Sequence, residues 1–221
     1  MPQIFTASAD TWLRATALVL AVVTLGGSLF GAGLVNSSYM TRAKVPVNQP
    51  VPFSHKHHVG ELGLDCRYCH TSVETSANAG FPPTSTCMTC HSQIWTGAPM
   101  LAQVRASLAS GKPLVWNRVS QVPDYVFFNH AIHVNRGVPC VACHGRVDRM
   151  PLMARGHAFQ MRFCLDCHRD PAPRLRPPDQ VTRMDWTSWE KDPRHQGYGL
   201  ARMQELQIHV NQLTNCEICH R

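Results

Sequence analysis

All ten cysteines of the chain fall into five Cys-x-x-Cys-His units: Cys66-Arg67-Tyr68-Cys69-His70, Cys87-Met88-Thr89-Cys90-His91, Cys140-Val141-Ala142-Cys143-His144, Cys164-Leu165-Asp166-Cys167-His168 and Cys216-Glu217-Ile218-Cys219-His220. Two thiols at this spacing can add to the two vinyl groups of one haem as thioethers, and the adjacent imidazole then reaches the iron from the proximal side. Zinc ribbons and disulfides also use paired cysteines. Neither accounts for a histidine after every pair. With 13 histidines in 221 residues, five such coincidences have a probability on the order of 10⁻⁶. The sequence therefore predicts five covalently bound c-type haems, attached through these ten cysteines, with His70, His91, His144, His168 and His220 as proximal iron ligands.

The second face of each iron needs another donor, and an internal repeat points to it. From first cysteine to first cysteine the motifs are spaced 21, 53, 24 and 52 residues, a short-long rhythm. Phe53-Ser54-His55-Lys56-His57-His58-Val59 aligns with Phe128-Asn129-His130-Ala131-Ile132-His133-Val134, each ahead of a motif. His209-Val210-Asn211 matches His133-Val134-Asn135 in a truncated third copy, where Leu206 stands in place of the first histidine. First-position His55 and His130 are assigned to the distal side of their own haems. Second-position His58, His133 and His209 are left for the second, fourth and fifth haems, in an order the sequence does not fix. His57, His157 and His195 fall outside the repeat and are read as surface or hydrogen-bonding residues. Met150, Met153 and Met161 compete for the fourth haem, because Met153 precedes Cys164 by the same eleven residues that separate His55 from Cys66. A Met/His haem would have a raised reduction potential, whereas methionine is also a common core filler.

The elements that must carry these motifs follow from composition. Between Ala15 and Val35 lie 21 uncharged residues, long enough to span a bilayer. The leader before it has no Lys or Arg up to Trp12, unlike a cleaved signal peptide. The expected organisation is a short cytoplasmic N-terminus over 1–12, a transmembrane anchor helix over 13–36 and an exported domain over 37–221. Trp12 and Tyr39 stand at interfacial positions. Arg14 on one side, against Arg42 and Lys44 on the other, does not set the orientation by charge; the cysteine chemistry, which belongs to an exported domain, places the haem domain on the periplasmic face of the cytoplasmic membrane.

Beyond the anchor, about 185 residues serve five haems, roughly 37 each, too few for a separate apolar core around every one. The expected fold is mostly irregular with short α-helices, wrapped around a packed haem core. Pro82-Pro83 and the stretch from Pro171 to Pro178 read as breaks, while 98–110 and 200–213 have helical spacing. The formal charge of +7 is outweighed by the ten propionates of five haems, so the arginines and lysines between Arg136 and Lys191 read as propionate partners rather than as a nucleic-acid surface. Trp186 and Trp189 are read as either structural or part of a docking surface.

The paired histidines of Phe53-Ser54-His55-Lys56-His57-His58 ahead of the first motif resemble those of the class III multihaem cytochromes, in which the first histidine serves its own haem and the second another. The whole order is more specific: an N-terminal anchor, PVPFSHKHHVGELGLDCRYCH, STCMTCHSQIW, FFNHAIHVNRGVPCVACHGRVDRMP, FCLDCHRDP and a terminal CEICHR. It resembles the pentahaem subunit of alternative complex III, a quinol-oxidising respiratory assembly, over nearly the whole chain. That resemblance implies iron–sulfur and polytopic quinol-binding membrane subunits as partners, and a monohaem cytochrome c or terminal oxidase as acceptor. The chain is then an electron carrier with no catalytic residue or substrate site of its own. Two other classes are compared with it. Small membrane-anchored quinol dehydrogenases resemble a Cys-x-x-Cys-His-x-Met pattern at the first haem, where this chain has Ser72. A multihaem reductase needs an open iron, and the histidines here suffice to fill every distal site.

Overall fold

A computed structural model describes residues 4–6, 8–185 and 192–220. The chain divides into two compact units, Met1–Arg42 and Ala43–Arg221.

The first unit is built on one long helix, α1 (Ala9–Asn36). Its 28 residues rise about 42 Å, more than the roughly 30 Å of a bilayer's hydrocarbon. None of them is buried, and large apolar side chains such as Leu18, Val22, Leu29 and Phe30 are exposed. The stretch Ala9–Thr41 is long and apolar enough to cross a membrane. The helix begins at Ala9, ahead of the apolar run, because Asp10 and Arg14 pair across one turn at 3.0 Å and extend the hydrogen-bonded ladder into the polar leader. It ends where Ser37 turns extended; a short α2 (Ser38–Thr41) follows and stops at Arg42 in the left-handed conformation.

The second unit is helical and irregular, with no strand among the described residues. Its only bridges there are isolated ones, Ala43 to Arg155 and Pro46 to Ala154. The helices are short: α3 (Cys66–Cys69), α4 (Thr84–His91), α5 (Ala102–Ser110), α6 (His130–Asn135), α7 (Cys140–His144), α8 (Met161–Arg169), α9 (Tyr198–Glu205) and α10 (Val210–Leu213). Every Cys-x-x-Cys pair lies in a helical turn, the last in the 3₁₀ turn Cys216–Ile218. A turn puts residues three apart on one face, so both thiols of each pair point the same way.

Local signals start these turns. Asp65 caps α3 by accepting from Arg67 N, and Pro83 and Pro139 stand immediately before α4 and α7, where a missing N–H costs nothing. The spacing over 200–213 predicts one helix; the structure has two. Gln207 takes a φ of +52° and His209 is extended, so the chain breaks after Glu205 and restarts at Val210.

The repeat is visible in three dimensions. In the second copy His130 and His133 lie on α6, whereas in the first copy Lys56–Glu61 forms a π-helical turn. The first copy has one more residue than the second between its leading histidine and the motif, and a π turn is how a helix absorbs a single inserted residue. Phe53 meets His55 edge-on at 4.9 Å and lies over His58 at 4.4 Å; Phe128 meets His130 edge-on at 4.7 Å and tilts over His133 at 4.6 Å.

Apolar burial is sparse, and motif residues pack against both of its clusters. One cluster joins Val51, Leu101 and Val104, with Cys87 and Met88 packed against it. The other joins Val141, Val147 and Met184, with Cys66, Cys140, Met150 and Met153 against it. Two close approaches fix the segments around the second cluster. A Cβ on Gly60 would stand 2.2 Å from the Asp148 carbonyl oxygen, and one on Gly137, at φ +92°, 2.3 Å from that of Arg176.

Candidate haem-binding site

The histidines that the repeat singles out meet the motif histidines in pairs. His58 and His91 have ring centres 6.2 Å apart at an interplanar angle of 68°. For His130 and His144 the values are 6.2 Å and 3°, and for His133 and His168 they are 6.2 Å and 19°. His55 is buried, and that burial first, with His70 nearby, lowers its proton affinity. Each pair combines one residue ahead of a motif with one inside a motif.

The ring nitrogens are committed in a consistent way. Nδ1 lies against a backbone carbonyl in His58 (Ser54, 2.9 Å), His70 (Gly80, 2.8 Å), His91 (Ile94, 3.3 Å), His130 (Ala77, 2.8 Å), His133 (Asn129, 2.8 Å), His168 (Leu213, 2.9 Å) and His220 (Tyr125, 3.2 Å). A carbonyl only accepts, so Nδ1 carries the proton and donates, which leaves the Nε2 lone pair as the donor to a metal. This arrangement orients a ligating imidazole and raises its basicity. His144 Nδ1 lies 3.4 Å from Ser120 Oγ, and His55 Nδ1 is buried without a hydrogen-bond partner. Burial, with the neighbouring imidazoles, pushes His55 and His144 down to about 4 and lowers His58 and His133. All four are thus held neutral at physiological pH, the form that binds metals.

These residues fit the group their motifs call for. A first-row metal–imidazole bond of about 2.0 Å plus roughly 1.1 Å from nitrogen to ring centre puts two imidazoles on one iron about 6.2 Å apart. Three pairs stand at that separation. None of the ten cysteines is joined to another in a disulfide. Among the described residues no three His, Cys, Asp or Glu side chains converge as a small metal site would require.

The remaining candidates are placed elsewhere. His57 Nδ1 pairs with Glu61 at 2.9 Å on the surface and its ring stacks on Trp95. His157 stacks on Phe163 at 4.8 Å, and His195 lies 3.9 Å from Asp192. His209 stands at the N-terminus of α10, while His220 stacks on Tyr125 at 5.9 Å. Met150 and Met153 pack beside Val141 and Val147, and Met161 is 65% exposed at the start of α8. Trp186, Trp189 and Lys191 lie outside the described residues. Several arginines assigned to propionates have protein partners: Arg146 pairs with Asp148, Arg162 and Arg169 with Asp166, and Arg183 with Asp185. The carbonyls of Gly80, Ala77 and Leu213 that hold His70, His130 and His168 were invisible in the sequence, since any residue supplies a carbonyl.

No family model matches the chain. It is 32% identical over 181 residues, 78% of this chain and 77% of the relative, to a protein described as the multihaem cytochrome c subunit of menaquinone reductase from Nitratidesulfovibrio vulgaris. The chain belongs to this family of multihaem cytochrome c subunits, and its cofactors are covalently bound c-type haems.

Proposed function

We propose that the chain carries five haems and relays electrons on the periplasmic face of the cytoplasmic membrane as a subunit of a quinone-linked respiratory complex of the alternative complex III type. The observation that carries this reading is the set of imidazole pairs at 6.2 Å, one residue of each within a Cys-x-x-Cys-His motif. In this reading His55 and His70 hold the first haem, His58 and His91 the second, His130 and His144 the third, and His133 and His168 the fourth. His209 is left for His220 at the fifth. His133 is preferred to Met150, Met153 or Met161 at the fourth haem because its ring faces His168.

Bound haem supplies one-electron chemistry at iron; the chain supplies everything that tunes it. Nδ1–H donation to fixed carbonyls holds the imidazole planes and keeps Nε2 available. Two strong nitrogen donors on an iron would leave no position for a substrate, which favours a carrier over a reductase. Residues 13–36 would anchor the chain, with 1–12 inside the cell and 37–221 outside.

The partners proposed are iron–sulfur and polytopic quinone-binding membrane subunits, with a monohaem cytochrome c or terminal oxidase at the other end. The description of the Nitratidesulfovibrio vulgaris relative as a menaquinone reductase subunit favours a second reading for direction, in which electrons pass toward the quinone instead of away from it. Purification in mild detergent tests the assignment. The chain is expected to bring iron–sulfur and polytopic subunits with it. Recovery of the chain alone, oxidising quinol unaided, would contradict it in favour of the small quinol dehydrogenases. Mixing the complex with menaquinol or with reduced cytochrome c, and recording which reduces the haems, separates the two directions.

A further inference from the structure

We infer that the five attachment motifs are arranged in space in the order second, first, third, fourth, fifth, with the motifs of Cys87–His91 and Cys216–His220 at the two ends. The inference rests on the five-haem reading and adds the order, which differs from the order along the chain.

Each link is a contact between motif residues. The second and first motifs are joined through the residues inside their pairs: Tyr68 Oη and Thr89 Oγ1 share a hydrogen bond of 2.8 Å. The first and third motifs meet through their leading cysteines. Cys66 and Cys140 both pack against the apolar cluster of Val141, Val147 and Met184. The loop after the first motif also holds the histidine assigned to the third, since Ala77 O accepts from both N and Nδ1 of His130.

The third and fourth motifs are linked by α6, which presents His130 toward His144 and His133 toward His168, each pair with ring centres 6.2 Å apart. The fourth and fifth are linked by the packing of α10 on α8 and by the hydrogen bond from His168 Nδ1 to Leu213 O at 2.9 Å.

Solvent exposure gives an independent mark of the ends. Of the ten cysteines only Cys90 and Cys216 are exposed, one in the second motif and one in the fifth. The three motifs that the contacts place inside the series have no exposed cysteine.

The order is read directly from iron positions in the intact, detergent-solubilised holoprotein, by a single-particle reconstruction or by iron anomalous diffraction. Each iron is identified by its cysteine pair. The expected result is that the irons of the second and fifth motifs each have one neighbouring iron, and that nearest-neighbour distances trace second, first, third, fourth, fifth. Five irons with the second or fifth lying between two others would overturn the order and leave the five-haem reading intact. Fewer than five covalent haem additions in the intact mass of the same preparation would overturn the five-haem reading itself.

Discussion

Replacing His133 with alanine isolates one imidazole pair. The ring of His133 stands 6.2 Å from that of His168, its Nδ1 donates to Asn129 O at 2.8 Å, and Phe128 packs on its face at 4.6 Å. Removing it takes one axial nitrogen from one haem of the five and leaves every attachment cysteine in place. About one-fifth of the haem should convert from low-spin to high-spin in the oxidised protein, with the other four-fifths unchanged. The lost hydrogen bond costs about 1 kcal/mol and the truncated, part-buried ring about 2 kcal/mol more, so the variant should unfold earlier but still fold.

Electron paramagnetic resonance at low temperature counts the two spin states, and added imidazole should restore the low-spin signal by occupying the vacated position. The control, His57→Gln, removes a surface histidine bound to Glu61 and should convert no haem. If His133→Ala stays wholly low-spin, another donor such as Met153 holds the fourth iron and the assignment fails. If two haems convert, His133 supports more than its own pair and the reasoning from ring separation is wrong.

Three further outcomes follow from the same geometry. Asp65→Ala removes the cap of α3, a carboxylate that also holds Arg67 and accepts from Thr182, and should cost about 1 kcal/mol in denaturant unfolding. The Arg67 side chain first, then the Arg67 backbone N–H and Thr182, hold the Asp65 carboxyl down to about 2. Its ionised form therefore contributes stability above about pH 4 that is lost as pH falls toward 2, so the variant's deficit should shrink over that range. Gly137→Ala places a Cβ 2.3 Å from Arg176 O at a φ of +92°, and should lower stability by about 3 kcal/mol or prevent accumulation of the holoprotein. Met153→Leu should leave the number and spin state of the haems unchanged, because Met153 packs in the apolar cluster beside Val141.

The attachment chemistry was legible because it is local. A haem vinyl pair needs two thiols three residues apart with a histidine following, and no tertiary fold can spread that requirement along the chain. The repeat of Phe53-x-His55 and Phe128-x-His130 was legible for the same reason. Which second-position histidine faces which motif was not, because His58 reaches His91, and His133 reaches His168, only once the chain has folded back. The π turn at Lys56–Glu61 and the break at Gln207 were also hidden: one hinges on a single inserted residue, and the other on a left-handed backbone that no glycine marks. The surroundings of the arginines were the least legible. A sequence shows charge but not that Asp148, Asp166 and Asp185 lie beside Arg146, Arg162 and Arg183.

The central claim is that all five motifs hold haem through thioether bonds. The intact mass of the full chain after unfolding and acid–acetone extraction tests it most directly. Five haem additions that survive extraction, with colour retained by the polypeptide, are the predicted result. A mass equal to that of the bare chain, or one carrying fewer than five additions, would contradict it.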